Sequence, residues 1–317
     1  MLRYLSNDDV RMLVSADEAR DVIRELFIHE SQGKAENHPT TELTIPNGFF
    51  RIKAGVAYGF NSFGFKAYGG IVRAGRYLVH VYSLETGMPV GIVEARQLTE
   101  IRTGAVSGLG TELMSRQDSA VVGMIGTGRE AREQALAVSR VRPITLIKCW
   151  SRSEENRANY ARDVNARLGI QVMPAATPEE CVRDTDIVVT ITSAKEPIVE
   201  GSWLREGSFI CGVGATTPER RELHGSAVDR AGTIIVEHLP QAQAECGELR
   251  DAEERGTLTW DRVHELKDVV SGRIPGRVSA DEITLFDTIG VGTEDIAIAT
   301  YALKKAQEIG AGRDVDL

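Results

Sequence analysis

Aromatic residues make up only 6% of this 317-residue chain, and there are four cysteines. Cys149, Cys181, Cys211 and Cys246 lie far apart with no C-x-x-C pair, so reduced, structural thiols are expected rather than a disulfide framework. The six histidines form no H-E-x-x-H or related spacing, and no metal is expected. No apolar run approaches the ~20 residues of a membrane span. The net charge is −9 and there is no basic block, which argues against nucleic acid and anionic membranes as partners. Arg3, Asp8, Asp9 and Arg11 leave the start of the chain without the apolar core of a signal peptide, so a cytoplasmic protein is expected. Internal repeats and low-complexity segments are also missing.

What is present is the balance of a folded protein, with 42% hydrophobic and 26% charged residues. The most informative stretch is Ala120 to Val138. An apolar run, Ala120–Ile125, meets Gly126-Thr127-Gly128, and Ala131, Ala135 and Val138 then recur with helical spacing. Strand, glycine turn and helix together make a pyrophosphate cradle. Gly126 permits the turn, Gly128 allows close backbone approach, and the helix start offers free N–H groups. Gly126, Thr127, Gly128, Arg129 and Glu130 are therefore candidate cofactor contacts, with Ala131 in place of the third glycine.

Before this stretch the pattern is different. Ser15-Ala16-Asp17-Glu18 is a capping box, and Ala19, Val22, Ile23, Leu26 and Phe27 form one helical face behind it. Residues 39–95 read as a mostly antiparallel sheet, with a hairpin whose strands flank Glu85-Thr86-Gly87. Leu98, Ile101, Ala105, Leu109 and Leu113 mark a helix leading to the glycine turn. After residue 119, apolar strands alternate with helices, as in a parallel sheet buried on both faces. Ile296, Ala299, Leu303 and Ala306 face one side of a last helix. The expected fold is α/β: a Rossmann-type doubly wound parallel sheet over 118–290.

The tip of the second strand of such a sheet selects the nicotinamide cofactor, because an acidic residue there binds the ribose 2′-OH. Here it reads Ser151-Arg152-Ser153, with no acid. Arg152, flanked by two hydroxyls, suits a 2′-phosphate, so NADP is expected, with NAD as the other option. A solvated arginine beside a helix-capping serine is the plainer reading.

Several motifs together resemble the ornithine cyclodeaminase/μ-crystallin family. They are Phe65-Lys66-Ala67, LTEIRTGA with Arg102-Thr103, GMIGTGREA, TDIVVTITS, GVGATTPERREL from Gly212, CGEL from Cys246, and FDTIGVGTEDIA from Phe286. The resemblance implies a split α+β substrate and dimerisation domain from 1–117 and 291–317, a homodimer, and a hydride transfer between nicotinamide and a carbon bearing nitrogen. It implies that Lys66 is the active-site lysine, that Arg102 and Thr103 contact the cofactor phosphates, and that Thr192 and Thr288 line the dinucleotide. By residue type alone, Lys66 is a strand-surface lysine, Arg102 a helix-face arginine, and the two threonines structural strand-end hydroxyls.

Two departures bear on the reaction. Cyclodeaminases of the family carry an aspartate just after the fifth-strand G-x-G, where this chain has Thr216, with Arg220 close by. A threonine cannot act as a carboxylate base, so one-step imine reduction is favoured over ornithine cyclisation. An arginine expected after a proline is missing too, since Pro39 precedes Thr40-Thr41. Arg51 and Lys53, two apart on one strand, face the same side and are expected to cluster with Lys66 around the carboxylates of the substrate. Three cations suggest an acidic, even dicarboxylic, imino acid such as iminosuccinate; the other reading is that one or both face solvent. His80 is a candidate proton donor, or else a core or interface histidine. The expectation is an NAD(P)H-dependent reductase of a small α-imino acid. The alternatives are a cyclodeaminase that recycles NAD, and a non-catalytic NADP(H)-binding protein of the crystallin type.

Overall fold

The structure, a computed structural model, describes residues 2–71 and 76–316. It divides into two compact units, one of residues 2–105 with 290–316 and one of 106–289. In chain order, the first unit begins with β1 (Leu2–Leu5), α1 (Asn7–Leu13), α2 (Ala16–Ser31), β2 (Glu36–Asn37) and β3 (Thr41–Ile45). It continues with β4 (Gly48–Ala57), β5 (Ser62–Ile71), β6 (Leu78–Ser83) and β7 (Pro89–Glu94). Next comes α3 (Ala95–Met114), within which the first unit ends and the second begins. The second unit holds β8 (Val121–Ile125), α4 (Arg129–Val141), β9 (Leu146–Trp150), α5 (Glu154–Leu168), β10 (Gln171–Pro174) and α6 (Pro178–Val182). It goes on through β11 (Ile187–Thr190), β12 (Phe209–Gly212), α7 (Gly225–Asp229), β13 (Thr233–Val236), α8 (Leu239–Glu245) and α9 (Gly247–Glu254). It ends with β14 (Val263–Glu265), α10 (Leu266–Val270) and β15 (Thr284–Asp287). The chain then returns to the first unit as α11 (Gly292–Ile309) and β16 (Arg313–Val315).

In the first unit the strand order is β16-β1-β7-β6-β5-β4-β2, with β3 also on β4. All pairs are antiparallel except β1 with β7. Strand β1 and helix α1 are additions to the elements expected from the sequence. The four residues of β1 are too few for a period to show, although Ser6 and Asp9 do form a capping box ahead of α1. The expected box at Ser15 and Glu18 opens α2, whose buried face carries Ala19, Val22, Ile23, Leu26 and Phe27. Helix α11 packs on β4, β5, β6 and α2 through Ile296, Ala299, Leu303 and Ala306.

The second unit is one parallel sheet in the order β10-β9-β8-β11-β12-β15-β13-β14. The order reverses between β8 and β11, and doubly wound sheets bind ligands outside the carboxyl ends of the strands at such a point. Strands β11, β12 and β15 are buried along their whole length, as in a parallel sheet covered on both faces. The expected first boundary, 117/118, differs from the observed junction at 105/106. The reason lies in the second half of α3. Gly108 runs against Ala137 of α4, and a Cβ on Gly110 would fall 2.5 Å from the Phe286 ring. Helix and sheet approach too closely there for that half of α3 to count with the first unit.

Candidate active site

The first unit brings buried charges together. The β4–β5 register sets Lys53 directly opposite Lys66, with both side chains on the face covered by α11. Two like charges side by side on a sheet repel unless something answers them. The answer is the first turn of α11, where Glu294 and Asp295 also sit favourably at the positive end of the helix dipole. Lys66 Nζ donates to Asp295 Oδ1 at 2.9 Å and lies 2.8 Å from Oδ2. Their side chains are 3% and 0% exposed, which makes this a fully desolvated pair. Arg102 Nη1 donates to Glu294 Oε2 at 3.1 Å, and its Nε is 3.4 Å from Asp295 Oδ1. Lys53 Nζ donates to the Gly290 carbonyl at 2.6 Å. Gly290 has φ +67°, and a Cβ there would fall 2.6 Å from Arg102 Nη1, so only glycine fits. Burial pushes the Lys66 ammonium down to about 8; Asp295 opposes this, while Arg102 and Lys53 add to it.

This cluster differs from the expected one. Arg51 does share the face of Lys53, but it pairs with Glu42, its cross-strand partner on β3, and lies over the Phe49 ring at 5.0 Å. Glu42 holds its guanidinium charge, so the third cation beside Lys53 and Lys66 is Arg102. The guanidinium expected at the cofactor phosphates is thus tied to two carboxylates of its own unit, and Thr103 is buried beside it in α3. His80 is a correction as well. Its partner across β5 is Phe65, whereas the partner of Lys66 is Val79, so the pleat turns the imidazole to the opposite face from Lys66. There it stacks on Phe65 with centroids 4.7 Å apart, and burial pushes it down from its usual value.

In the second unit the glycine turn follows β8. Gly126 has φ +115°, and a Cβ there would fall 2.3 Å from the Ile191 carbonyl. Gly128 has open space where its Cβ would be and caps α4 without any side-chain hydrogen bond. The first N–H groups of α4 therefore face an uncrowded opening, which fits a pyrophosphate. Gly128, Arg129 and Glu130 are exposed at this helix start, while Thr127 is buried. Thr127 donates its hydroxyl to Ser151 Oγ at 2.8 Å. Ser153 is engaged as the cap of α5, accepting from the Asn156 N–H. Of the three residues expected to select the cofactor, Arg152 alone is exposed. Arg132, outside the expected set, braces the turn by donating to the Thr127 and Gly128 carbonyls.

Sequence reasoning also missed a set of buried acids behind the strand ends. Glu222 accepts the N–H of Thr192 at 2.5 Å and that of Gly214 at 2.7 Å, joining the segments that leave β11 and β12. Glu248 Oε1 accepts the N–H groups of Glu222 and Leu223. Glu237 accepts from the Thr288 hydroxyl and from the Ile289 N–H, so Thr288 is a buried structural donor. Thr216 is half-buried with its N–H on the Gly214 carbonyl, and Arg220 is half-buried with its N–H on the Thr217 carbonyl. Cys246, Glu248 and Asp287 bring possible ligand atoms within 4.8 Å of one another. The Cys246 thiol, however, donates to Asp287 Oδ2, and burial pushes the thiol and Glu248 well up and Asp287 up to about 7. An acid standing directly after an apolar strand, as Glu237 does after β13, was the available signal.

A model of the ornithine cyclodeaminase/mu-crystallin family matches residues 3–310. A Delta(1)-pyrroline-2-carboxylate reductase of Bacillus cereus is 33% identical over 240 residues, 75% of this chain and 74% of that protein. The structure of the Delta(1)-pyrroline-2-carboxylate reductase of Thermococcus litoralis, in complex with NADH and L-proline, superimposes with a TM-score of 0.95 at 29% identity. It covers 99% of this chain and 100% of that one. The iminosuccinate reductase of Paracoccus denitrificans, in complex with NAD+, gives 0.93 at 26% identity, covering 100% and 99%.

Proposed function

Because the chain belongs to the ornithine cyclodeaminase/mu-crystallin family, we propose that it is an NAD(P)H-dependent oxidoreductase that reduces a small α-imino acid to an L-amino acid. The observation that carries this reading is the buried set of Lys66, Lys53 and Arg102 around Asp295. Burial, and after it the Arg102 and Lys53 cations, pull Lys66 down, so a carboxylate brought to the same place answers an unmet charge and relieves their repulsion. An α-imino acid supplies that carboxylate one bond from the reacting carbon. The second unit holds the cofactor through the Gly126–Gly128 turn and the start of α4. The reduced nicotinamide supplies the hydride to the C=N carbon when bound. Lys66 orients the carboxylate and, as an ammonium, keeps a proton near the nitrogen, where the developing amine needs one.

Arg152, exposed beyond β9 with no acid beside it, supports use of the 2′-phosphate of NADP(H), with NAD(H) as the alternative. Among the described residues no helix is long and apolar enough to cross a membrane, and all four cysteines are free and buried; both suit a cytoplasmic enzyme. The sheet face opposite Lys66 carries the half-buried stacks Phe63–Tyr82 and Phe65–His80, which suit a second copy in a homodimer.

The monocarboxylic imino acids, linear or cyclic, suit the cluster best, since Arg51 is taken by Glu42. The dicarboxylic reading keeps one point in its favour, that Arg51 shares the face of Lys53. Cyclodeamination lacks the carboxylate that Thr216 replaces. The test is oxidation of NADPH and NADH with pyruvate, glyoxylate and oxaloacetate, each with ammonia and methylamine, and with Delta(1)-pyrroline-2-carboxylate alone. Turnover on an imino acid is expected. Turnover of L-ornithine alone, with silence on every imino acid, would overturn the reading.

A further inference from the structure

We infer that Asp295 is the positioning residue of Lys66: it aims Nζ and keeps it an ammonium through turnover. This rests on the reading of Lys66 given above. Lys66 ends a flexible four-carbon stem, which loses most of its freedom only when the head is held at more than one point. Both Asp295 oxygens lie within 2.9 Å of Nζ, and they come from the first turn of an 18-residue helix rather than from a loop.

The surroundings on every side make Asp295 decisive. From β4 comes the Lys53 cation, and beyond it Arg51, which is held by Glu42. From α3 comes the Arg102 cation, and β6 presents apolar Val79. Strand β5 itself adds the Tyr68 ring, 5.2 Å from Nζ. Glu294, the other acid of α11, is engaged with Arg102. Burial and both cations favour the neutral amine, and Asp295 is the group that opposes them. Without its charge, Lys66 would enter the reaction largely as an amine at and above about pH 7. It could then neither pair with a carboxylate nor hold a proton for the product nitrogen.

The experiment is a pH titration of lysine side chains by NMR on the whole protein, with 13C at Cε. The Lys66 signal is assigned by its loss in Lys66→Met. In the unsubstituted protein it should titrate near pH 8. In Asp295→Asn, nearly the same shape without the charge, it should titrate at least ~1 unit lower, a tenfold loss of proton affinity. The basic limb of kcat/KM should move down with it, so that this shift alone costs the variant about fivefold or more near pH 8 and almost nothing near pH 6. Asp295→Glu keeps the charge and shifts the carboxylate. Its titration should stay within about half a unit while kcat falls ~10-fold through lost aim. That variant carries the test if the asparagine protein does not fold. A Lys66 signal that titrates alike in the unsubstituted protein and in Asp295→Asn overturns the inference, and so does an Asp295→Glu variant whose kcat is unchanged. Silence of the unsubstituted enzyme on every imino acid overturns the functional reading instead, and the titration still decides the role of Asp295.

Discussion

Lys66 and Glu222 are buried charged residues, one in each unit, and they are held by opposite means. Lys66 meets a carboxylate, and its cluster sets charge against charge. Glu222 meets two backbone N–H groups, and the acids around it, Glu237, Glu248 and Asp287, likewise accept from backbone, hydroxyl and thiol donors. The difference is one of task. An acid braced by amides fixes loops and keeps its surroundings polar without offering charge to a ligand. A lysine answered by one carboxylate among cations stays unsettled, and a group in that condition can change partners when a substrate arrives. In the proposed reaction, the first unit carries the chemistry and the second unit the cofactor.

The sharpest way to break the comparison is to remove Lys66. Lys66→Ala should lower kcat/KM for an imino acid by about 10³ or more, the scale of losing a general acid together with an electrostatic stabiliser. Cofactor affinity, read by nicotinamide fluorescence, should change less than ~3-fold, since Lys66 belongs to the first unit. Comparable losses in both would mean that the two tasks are not divided this way. Next in size is Arg152→Asp in the second unit. It should weaken NADPH by roughly 10- to 100-fold and NADH by less than about 3-fold, because a charge-assisted fork on the 2′-phosphate is replaced by repulsion. Equal losses would remove the argument for NADP.

A smaller effect separates the units by pH. Asp287 is held up to about 7, so it binds its proton more tightly folded than unfolded. Its contribution to stability is present at low pH and is lost as pH rises through about 7. Lys66 is held down to about 8, so it binds its proton less tightly when folded, and its cost is present below that value and relieved above it. Asp287→Asn should therefore flatten the fall in Tm between about pH 4 and 7, by roughly 1 to 3 kcal/mol in stability at the upper end. An unchanged Tm–pH curve would show that the carboxyl titrates alike in both states.

The same contrast explains what could be read from the chain. The glycine turn was legible because Gly126 and Gly128 serve backbone needs that leave a local signature. The two helical faces were legible through their period, and the parallel strands through apolar runs that lack polar alternation. The partner of Lys66 was not, since it stands 229 residues away on α11 and nothing local ties them. Of the two readings of His80, proton donor or core or interface histidine, the sequence could not choose, because its register against Phe65 depends on pairing that the sequence does not number. Glu222 was hidden inside a charged run, Glu219-Arg220-Arg221-Glu222, where a solvated face is the ordinary expectation.

The smallest effect sharpens the reading of the substrate. Arg51 stands on the Lys53 face, two residues nearer the start of β4, and its guanidinium is paired with Glu42 on a side chain 17% exposed. If that pair only ties β3 to β4, Arg51→Ala should change KM for a monocarboxylic imino acid by less than about 3-fold, the scale of a partly exposed ion pair. Stability should fall slightly, by ~0.5 kcal/mol or less. For the imine of oxaloacetate the same variant decides between substrate classes. A second carboxylate bound by Arg51 would have to displace Glu42, and losing that contact should lower kcat/KM tenfold or more. An unchanged ratio between the two substrates would leave the Lys66 cluster as the sole carboxylate site, and the enzyme as a reductase of monocarboxylic imino acids.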